Sequence, residues 1–141
     1  MDKVTIEKLP NTKEMDGPKW WIADNGEFVQ ISYKETIRHL AFFELKKGFF
    51  RGSHVHKQKE ETFYVVKGRI RAIFVDMETG QKEERVLVRT DKVRIKTNCG
   101  HILIGLEDSA VVEYSPIDYD KADAYPVEFG NTGDLPPVDE G

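Results

Sequence analysis

The chain has 141 residues, a formal net charge of −4 and one cysteine. That length is expected to make one domain with a real hydrophobic core, the acidic balance without a basic run argues against a nucleic-acid partner, and Cys99 alone excludes an intrachain disulfide. No N-terminal apolar run resembles a signal peptide and no segment approaches a membrane span, so the expected location is cytoplasmic, with no membrane partner.

Strand signals then follow one another along the chain. Residues 20–23, 28–33 and 38–45 are short apolar or alternating runs rich in aromatic and β-branched side chains. Asn25-Gly26 reads as a type I′ hairpin turn between the first two. Residues 62–67 and 70–75 are strand-like and are separated by Gly68. A turn at 77–80 leads to strands at 84–89, 93–96, 101–106 and 110–114. No long window carries a helical period, and residues 118–125 are expected to make one helical turn or a short helix. Many short strands predict an all-β sandwich or closed barrel. The barrel is expected over residues 1–130, with 131–141, rich in Gly, Pro and acids, as a flexible tail.

The stretch from Gly48 to Gly68 carries the chemistry. His54 and His56 stand at i and i+2, which on a strand puts both on one face. Glu61 follows after a gap long enough for a short turn, and His101 lies in a later strand. A bare His-x-His is more often an exposed loop feature. Four such groups inside a small barrel are different, because barrel interiors are normally filled by apolar side chains and a buried unpaired carboxylate is costly. A divalent metal removes the difficulty, and three imidazoles with one carboxylate suit iron, manganese, nickel, zinc or cobalt. Glu60 is an alternative to Glu61 as the carboxylate ligand. Lys46, Lys47 and Arg51 make a small basic group that is either a solvated rim or a contact for an anionic substrate. Tyr33, Tyr64 and Tyr114 lie in strands and are candidate phenolic acids. Trp20 and Trp21, being adjacent, face opposite sides, one toward the core and one free to stack on a sugar or base or to pack a dimer interface. Cys99 reads as a small buried hydrophobe.

Gly48, His54, His56, Glu61 and Gly68 match every position of the first cupin motif, so the chain is identified as resembling the cupin superfamily. The resemblance implies a single-domain cupin double-stranded β-helix, a jelly-roll barrel. The second cupin motif keeps His101, with Lys96, Asn98 and Gly105 standing where Pro, Gly and Asn are usual. Asn98 suits that place because Asn tolerates the left-handed conformation. Within cupins, Arg51-Gly52-Ser53-His54-Val55-His56-Lys57 is similar to the signature of sugar-nucleotide 3,4-ketoisomerases, whose relatives include 3,5-epimerases. The stretch from Ser115 to Asp120, followed by Asp123, Tyr125 and Phe129, resembles that family's C-terminal pattern.

This closer resemblance implies an isomerase or epimerase of a keto sugar or nucleotide sugar, with His54 and His56 moving protons beside the keto group; Tyr64, from its place in a strand, is expected as a further catalytic group. Arg51, Lys57 and Tyr114 are the expected substrate contacts. The ketoisomerases usually carry Gln at the position of Glu61 and work without metal. Glu61 with His101 instead completes a metal quartet, His54, His56, Glu61 and His101, for Fe, Mn, Ni or Zn. Two other readings follow from that quartet: an iron-dependent dioxygenase, and a non-catalytic ligand-binding cupin. The expected partners are a small-molecule carbohydrate and a second copy of the chain, because small cupins pair through edge strands that need cover.

Overall fold

The computed structural model describes residues 1–129. The expected tail at 131–141 lies outside the described residues. Twelve strands run β1 (Val4–Lys8), β2 (Lys19–Ala23), β3 (Gly26–Gln30), β4 (His39–Leu45), β5 (Phe50–Val55), β6 (Glu61–Lys67), β7 (Arg69–Asp76), β8 (Lys82–Val88), β9 (Asp91–Ile95), β10 (Cys99–Gly105), β11 (Ser109–Ser115) and β12 (Tyr125–Pro126). A 3₁₀ turn, Lys121–Asp123, is the only helical element among the described residues.

Ten of the strands form two five-stranded antiparallel sheets, ordered β1-β9-β6-β11-β4 and β12-β5-β10-β7-β8. Strands β2 and β3 make a separate hairpin. This is the jelly-roll barrel that the cupin motif implies. Alternation along the strands builds its interior. In β7, Ile70, Ala72 and Phe74 are wholly buried while Arg69, Arg71 and Ile73 are not. They join Leu45, Phe63, Val65, Leu87, Val93, Leu103 and Val111 in one core cluster drawn from both sheets. Strand β10, central in its sheet, is buried along its whole length.

The structure refines three expectations. Strand β1 carries only Val4 and Ile6 as apolar residues, a faint signal, yet it pairs with β9 from Val4↔Ile95 to Lys8↔Asp91. The second predicted strand stops at Gln30 rather than Tyr33, because the chain leaves the sheet through Lys34, at φ 59°, to deliver Glu35 to several partners. The β2–β3 hairpin exists, but its register pairs Ala23 with Gly26, so Asp24 and Asn25 form the loop. Positive φ falls on Gly26 and not on Asn25, so the turn is not type I′. Gly68 earns its place in the motif: at φ 99°, any Cβ there would overlap Ser109.

Candidate functional site

A β-bulge sets the site's geometry. Strands β5 and β10 pair with Ile102 opposite Gly52 but His101 opposite His54, leaving Ser53 as the extra residue, at φ 64°. The extra residue brings Arg51 and His54, three apart, to the same cavity. Gly52 is required at the bulge, since with φ 93° a Cβ would lie 2.9 Å from the His101 carbonyl oxygen. Just past the end of β5, His56 accepts nothing with its ring Nδ1, which instead faces the Asp123 carbonyl at 2.8 Å, while its own carbonyl accepts from Asn98 N–H. Asn98 takes φ 62°, the left-handed conformation expected of it.

The three rings converge. His54 lies 4.5 Å from His56 and 4.8 Å from His101, centroid to centroid. Glu61 opens β6 beneath them. Its Oε1 is 2.6 Å from His56 Nε2 and 3.1 Å from Lys59 Nζ, and its Oε2 is 3.4 Å from His101 Nε2. One ligand atom from each of His54, His56, Glu61 and His101 falls within 4.8 Å of the others. The carboxylate is therefore Glu61; Glu60 is turned toward Arg94, 3.5 Å away.

Hydrogen bonding fixes the tautomers. Nδ1 of His56 faces the Asp123 carbonyl and Nδ1 of His101 faces the Cys99 carbonyl at 3.3 Å, so each Nδ1 carries hydrogen and donates it. Their Nε2 atoms then face an anionic carboxylate. Despite the close approach, His56 Nε2 and Glu61 Oε2 are buried atoms without a hydrogen-bond partner. Either a proton or a cation belongs between them. A backbone carbonyl orienting a histidine from behind is also the usual support of a metal ligand, so these residues fit a divalent ion.

Electrostatics separates the groups. Burial, then the neighbouring His101 and His56, lowers His54 to about 3 and keeps it neutral. Burial works against the charge on His56 too, but the Glu61 carboxylate 2.6 Å away prevails and raises it. Burial would raise Glu61, yet His101 and His56 hold it well below the usual carboxylate range. A second carboxyl, Glu113 of β11, lines the same cavity; burial, then the charge of Glu61, raises it.

The cavity, about 340 Å³, brings together five of the sequence-predicted residues, Arg51, His54, His56, Glu61 and His101. Three others lie outside its wall. Tyr64 follows Phe63 in β6 and so faces the opposite side of the sheet, where burial, then Glu27, pushes its phenol up to about 12. Tyr114 likewise follows inward-facing Glu113, and its hydroxyl donates to Glu35 Oε2 at 2.7 Å. Lys57 is exposed, its ammonium 4.2 Å from the Tyr125 ring centroid and outside the cavity wall. Tyr33, Trp20 and Trp21 also stand outside; the Trp20 indole donates to the Leu9 carbonyl and Trp21 stacks on Phe28. Lys46 and Lys47 are exposed on the turn after β4, so the basic group is divided, and only Arg51 reaches the cavity. Cys99 is buried, which pushes its thiol up to about 11.

Residues that no motif singled out extend the wall, His39, Phe43, Lys59, Phe63, Leu103 and Glu113, and Tyr119 of the C-terminal pattern joins them. Asp123 acts from behind it. Its buried carboxylate accepts backbone N–H groups of Lys57, Gln58 and Lys59 at 2.9 to 3.2 Å, clamping the loop that carries Lys59 and His56. Such contacts join positions more than 60 residues apart, which spacing does not reveal.

The model of the polysaccharide biosynthesis C-terminal domain family matches residues 22–113. The chain belongs to that family. No curated protein matches it. Solved structures share the fold at low identity. A 3′-monoepimerase from Streptomyces bikiniensis, in complex with dTDP-quinovose, aligns with TM-score 0.76 and 15% identity over 96% of this chain and 78% of that one. A TDP-quinovose 3,4-ketoisomerase from Campylobacter jejuni gives 0.72 and 17% over 89% and 93%. A dTDP-6-deoxy-D-glucose-3,5-epimerase from Legionella pneumophila, in complex with dTDP-4-keto-L-rhamnose, gives 0.70 and 16% over 94% and 84%. These likenesses establish the cupin jelly roll for this chain.

Proposed function

We propose that this family member is an enzyme that isomerises or epimerises a keto sugar carried on a nucleoside diphosphate. The observation that carries the reading is the convergence of His54, His56 and His101 on one ionised carboxylate, in a cavity that also presents Arg51 and Lys59. The named activities of the similar structures support the same chemistry. His54 takes the proton from the carbon beside the carbonyl. Its ring makes no hydrogen bond among the described residues and stays neutral, so a lone pair is free. His56, held by the Asp123 carbonyl and Glu61, keeps a compensating charge beside it. Arg51 and Lys59 orient the anionic substrate.

A second reading is favoured by the unpartnered His56 Nε2 and Glu61 Oε2: His54, His56, Glu61 and His101 hold a divalent ion, Fe, Mn, Ni or Zn. When bound, such an ion polarises a substrate oxygen as a Lewis acid. With iron the same quartet suits a dioxygenase, which oxygen uptake on ferrous loading would reveal. The ketoisomerase-like alternative needs no ion, because Lys59 already brings a cation to Glu61. We propose a cytoplasmic homodimer; the outward Leu40 and Phe42 of edge strand β4, 65% and 60% exposed, support the dimer alone, and light scattering checks it. No helix among the described residues is long and apolar enough to cross a membrane.

The test is deuterium wash-in from heavy water into TDP-4-keto-6-deoxyglucose, the ligand of one similar structure, followed by NMR. Exchange beside the carbonyl, falling on the order of 10²- to 10⁴-fold in His54→Asn, is expected. Tight binding of the sugar nucleotide without exchange would instead indicate the non-catalytic cupin.

A further inference from the structure

We propose that Glu113 is a second catalytic carboxyl of this cavity, the proton donor to the substrate's carbonyl oxygen opposite the imidazole that takes the carbon-bound proton. The proposal rests on the isomerase or epimerase reading above. Glu113 sits in β11, which is flanked by β6 and β4, with Phe63 and Ala41 as its register partners. Its side chain lines the cavity. Glu61 and Glu113 are the two carboxyl groups of the wall, and their surroundings are opposite. Glu61 is approached by two imidazoles and an ammonium. Glu113 makes no hydrogen bond and no ion pair among the described residues.

A half-buried carboxyl without a partner does not hold its charge cheaply. Burial and then the negative Glu61 favour its neutral form, against the smaller opposing influence of Lys59, His101 and His56. His39 and Arg51 share the wall as well. Two carboxyl groups held in opposite protonation states in one cavity is the arrangement that separates an acid from a base. The first-motif residues supply imidazoles for the carbon-bound proton, but a group is also needed for the oxygen.

The proton count closes without an added reagent. As an imidazole nitrogen takes the proton from the carbinol carbon beside the carbonyl, Glu113 gives its proton to the carbonyl oxygen, and a neutral enediol forms. In the return half the ionised Glu113 takes the proton from the neighbouring hydroxyl while the imidazolium returns its proton to the former carbonyl carbon. The carbonyl has moved by one carbon and both residues regain their starting states. Epimerisation uses the same first half and its reversal at oxygen, with the carbon taking a proton from water on the other face while the imidazolium releases its own proton to that solvent.

Two measurements on the full chain test the role. Infrared difference spectra of the protein against Glu113→Gln at neutral pH are expected to show the C=O stretch of a protonated carboxyl in the parent only. Turnover and exchange on TDP-4-keto-6-deoxyglucose are expected to fall about 10²- to 10³-fold in Glu113→Gln with KM little changed, and to recover in part in Glu113→Asp. Glu113→Gln is nearly isosteric, and Glu113→Asp provides the check should it fail to fold. Exchange by the parent that survives unchanged in Glu113→Gln overturns the acid role alone. Absence of exchange by the parent on any TDP-linked keto sugar overturns the functional reading and the acid role together. Absence of the infrared band overturns the neutral carboxyl whatever the substrate.

Discussion

The sheet formed by β1, β9, β6, β11 and β4 has two faces built from the same kinds of residue and put to different ends. On its outer face Glu35 accepts from Ser32, from the Tyr114 hydroxyl and from Arg94 at 2.5 to 2.7 Å, with Lys92 at 3.4 Å. That carboxylate is lowered because those bonds outweigh its burial. On the inner face Glu61 draws three cationic or potentially cationic groups, yet buried atoms of the pair with His56 stay unpartnered, and Glu113 has no partner. The outer face also leaves atoms over, the Tyr64 hydroxyl and Arg94 Nε, but they do not converge on a cavity. A closed network fixes a loop to the barrel. An open one, converging on a space of substrate size, is a site.

Breaking the outer network is expected to give the largest effect on stability. Glu35→Ala removes four partners and leaves the buried Lys92 ammonium and Tyr114 hydroxyl unpaired, so unfolding in urea should show a loss of about 3 kcal/mol, with turnover per folded molecule unchanged. A fall in kcat comparable to that of His54→Asn would mean that the two faces are not separable. The inner face is expected to announce itself through pH. The unfolded His54 takes a proton near the ordinary imidazole value of 6.5, whereas the folded one resists to about 3. Stability of metal-free protein is thus complete above about 6.5 and is lost as pH falls below it, by about 1.4 kcal/mol per pH unit. The raised His56 acts on the other side of its ordinary value, its contribution being present below it and lost as pH rises. Denaturation between pH 6.5 and 5 should therefore lose its slope in His54→Asn; an unchanged slope would sink the buried neutral imidazole. The smallest expected effect concerns Lys59. Its ammonium competes with any ion for Glu61 Oε1. Elemental mass spectrometry and metal titration should show about tenfold tighter binding, worth about 1.4 kcal/mol, in Lys59→Met and none in Glu61→Gln. Metal absent from both variants would leave the metal-free relay as the reading of the inner face.

Much of the barrel was legible because strand alternation and turn residues are local. The first motif was legible because Gly48, Gly52 and Gly68 are demanded by backbone geometry and His54, His56 and Glu61 by the cavity. The outward placement of Tyr64 follows from a rule within reach: with Glu61 inward, period two puts Phe63 inward and Tyr64 out. Tyr114 was harder. Strand β11 has polar and apolar residues on both sides, so its parity depends on pairing with β6 and β4. The choice between Glu60 and Glu61 was left open by spacing and decided by Arg94, which claims Glu60. Lys59 and Glu113 had no local signal, since a lysine in a Lys-Gln-Lys turn and a glutamate in a strand look solvated until the opposite wall is known.

The clamp made by Asp123 has a consequence for the growing chain. Both sheets acquire nearly all their strands once β11 has been synthesised, but the carbonyl that fixes His56 and the carboxylate that gathers the 57–59 loop arrive only with the following 3₁₀ turn. A nascent polypeptide still tethered just beyond Ser115 would hold a nearly assembled barrel with an unset imidazole, so the cluster around Glu61 is completed after the scaffold and not alongside it.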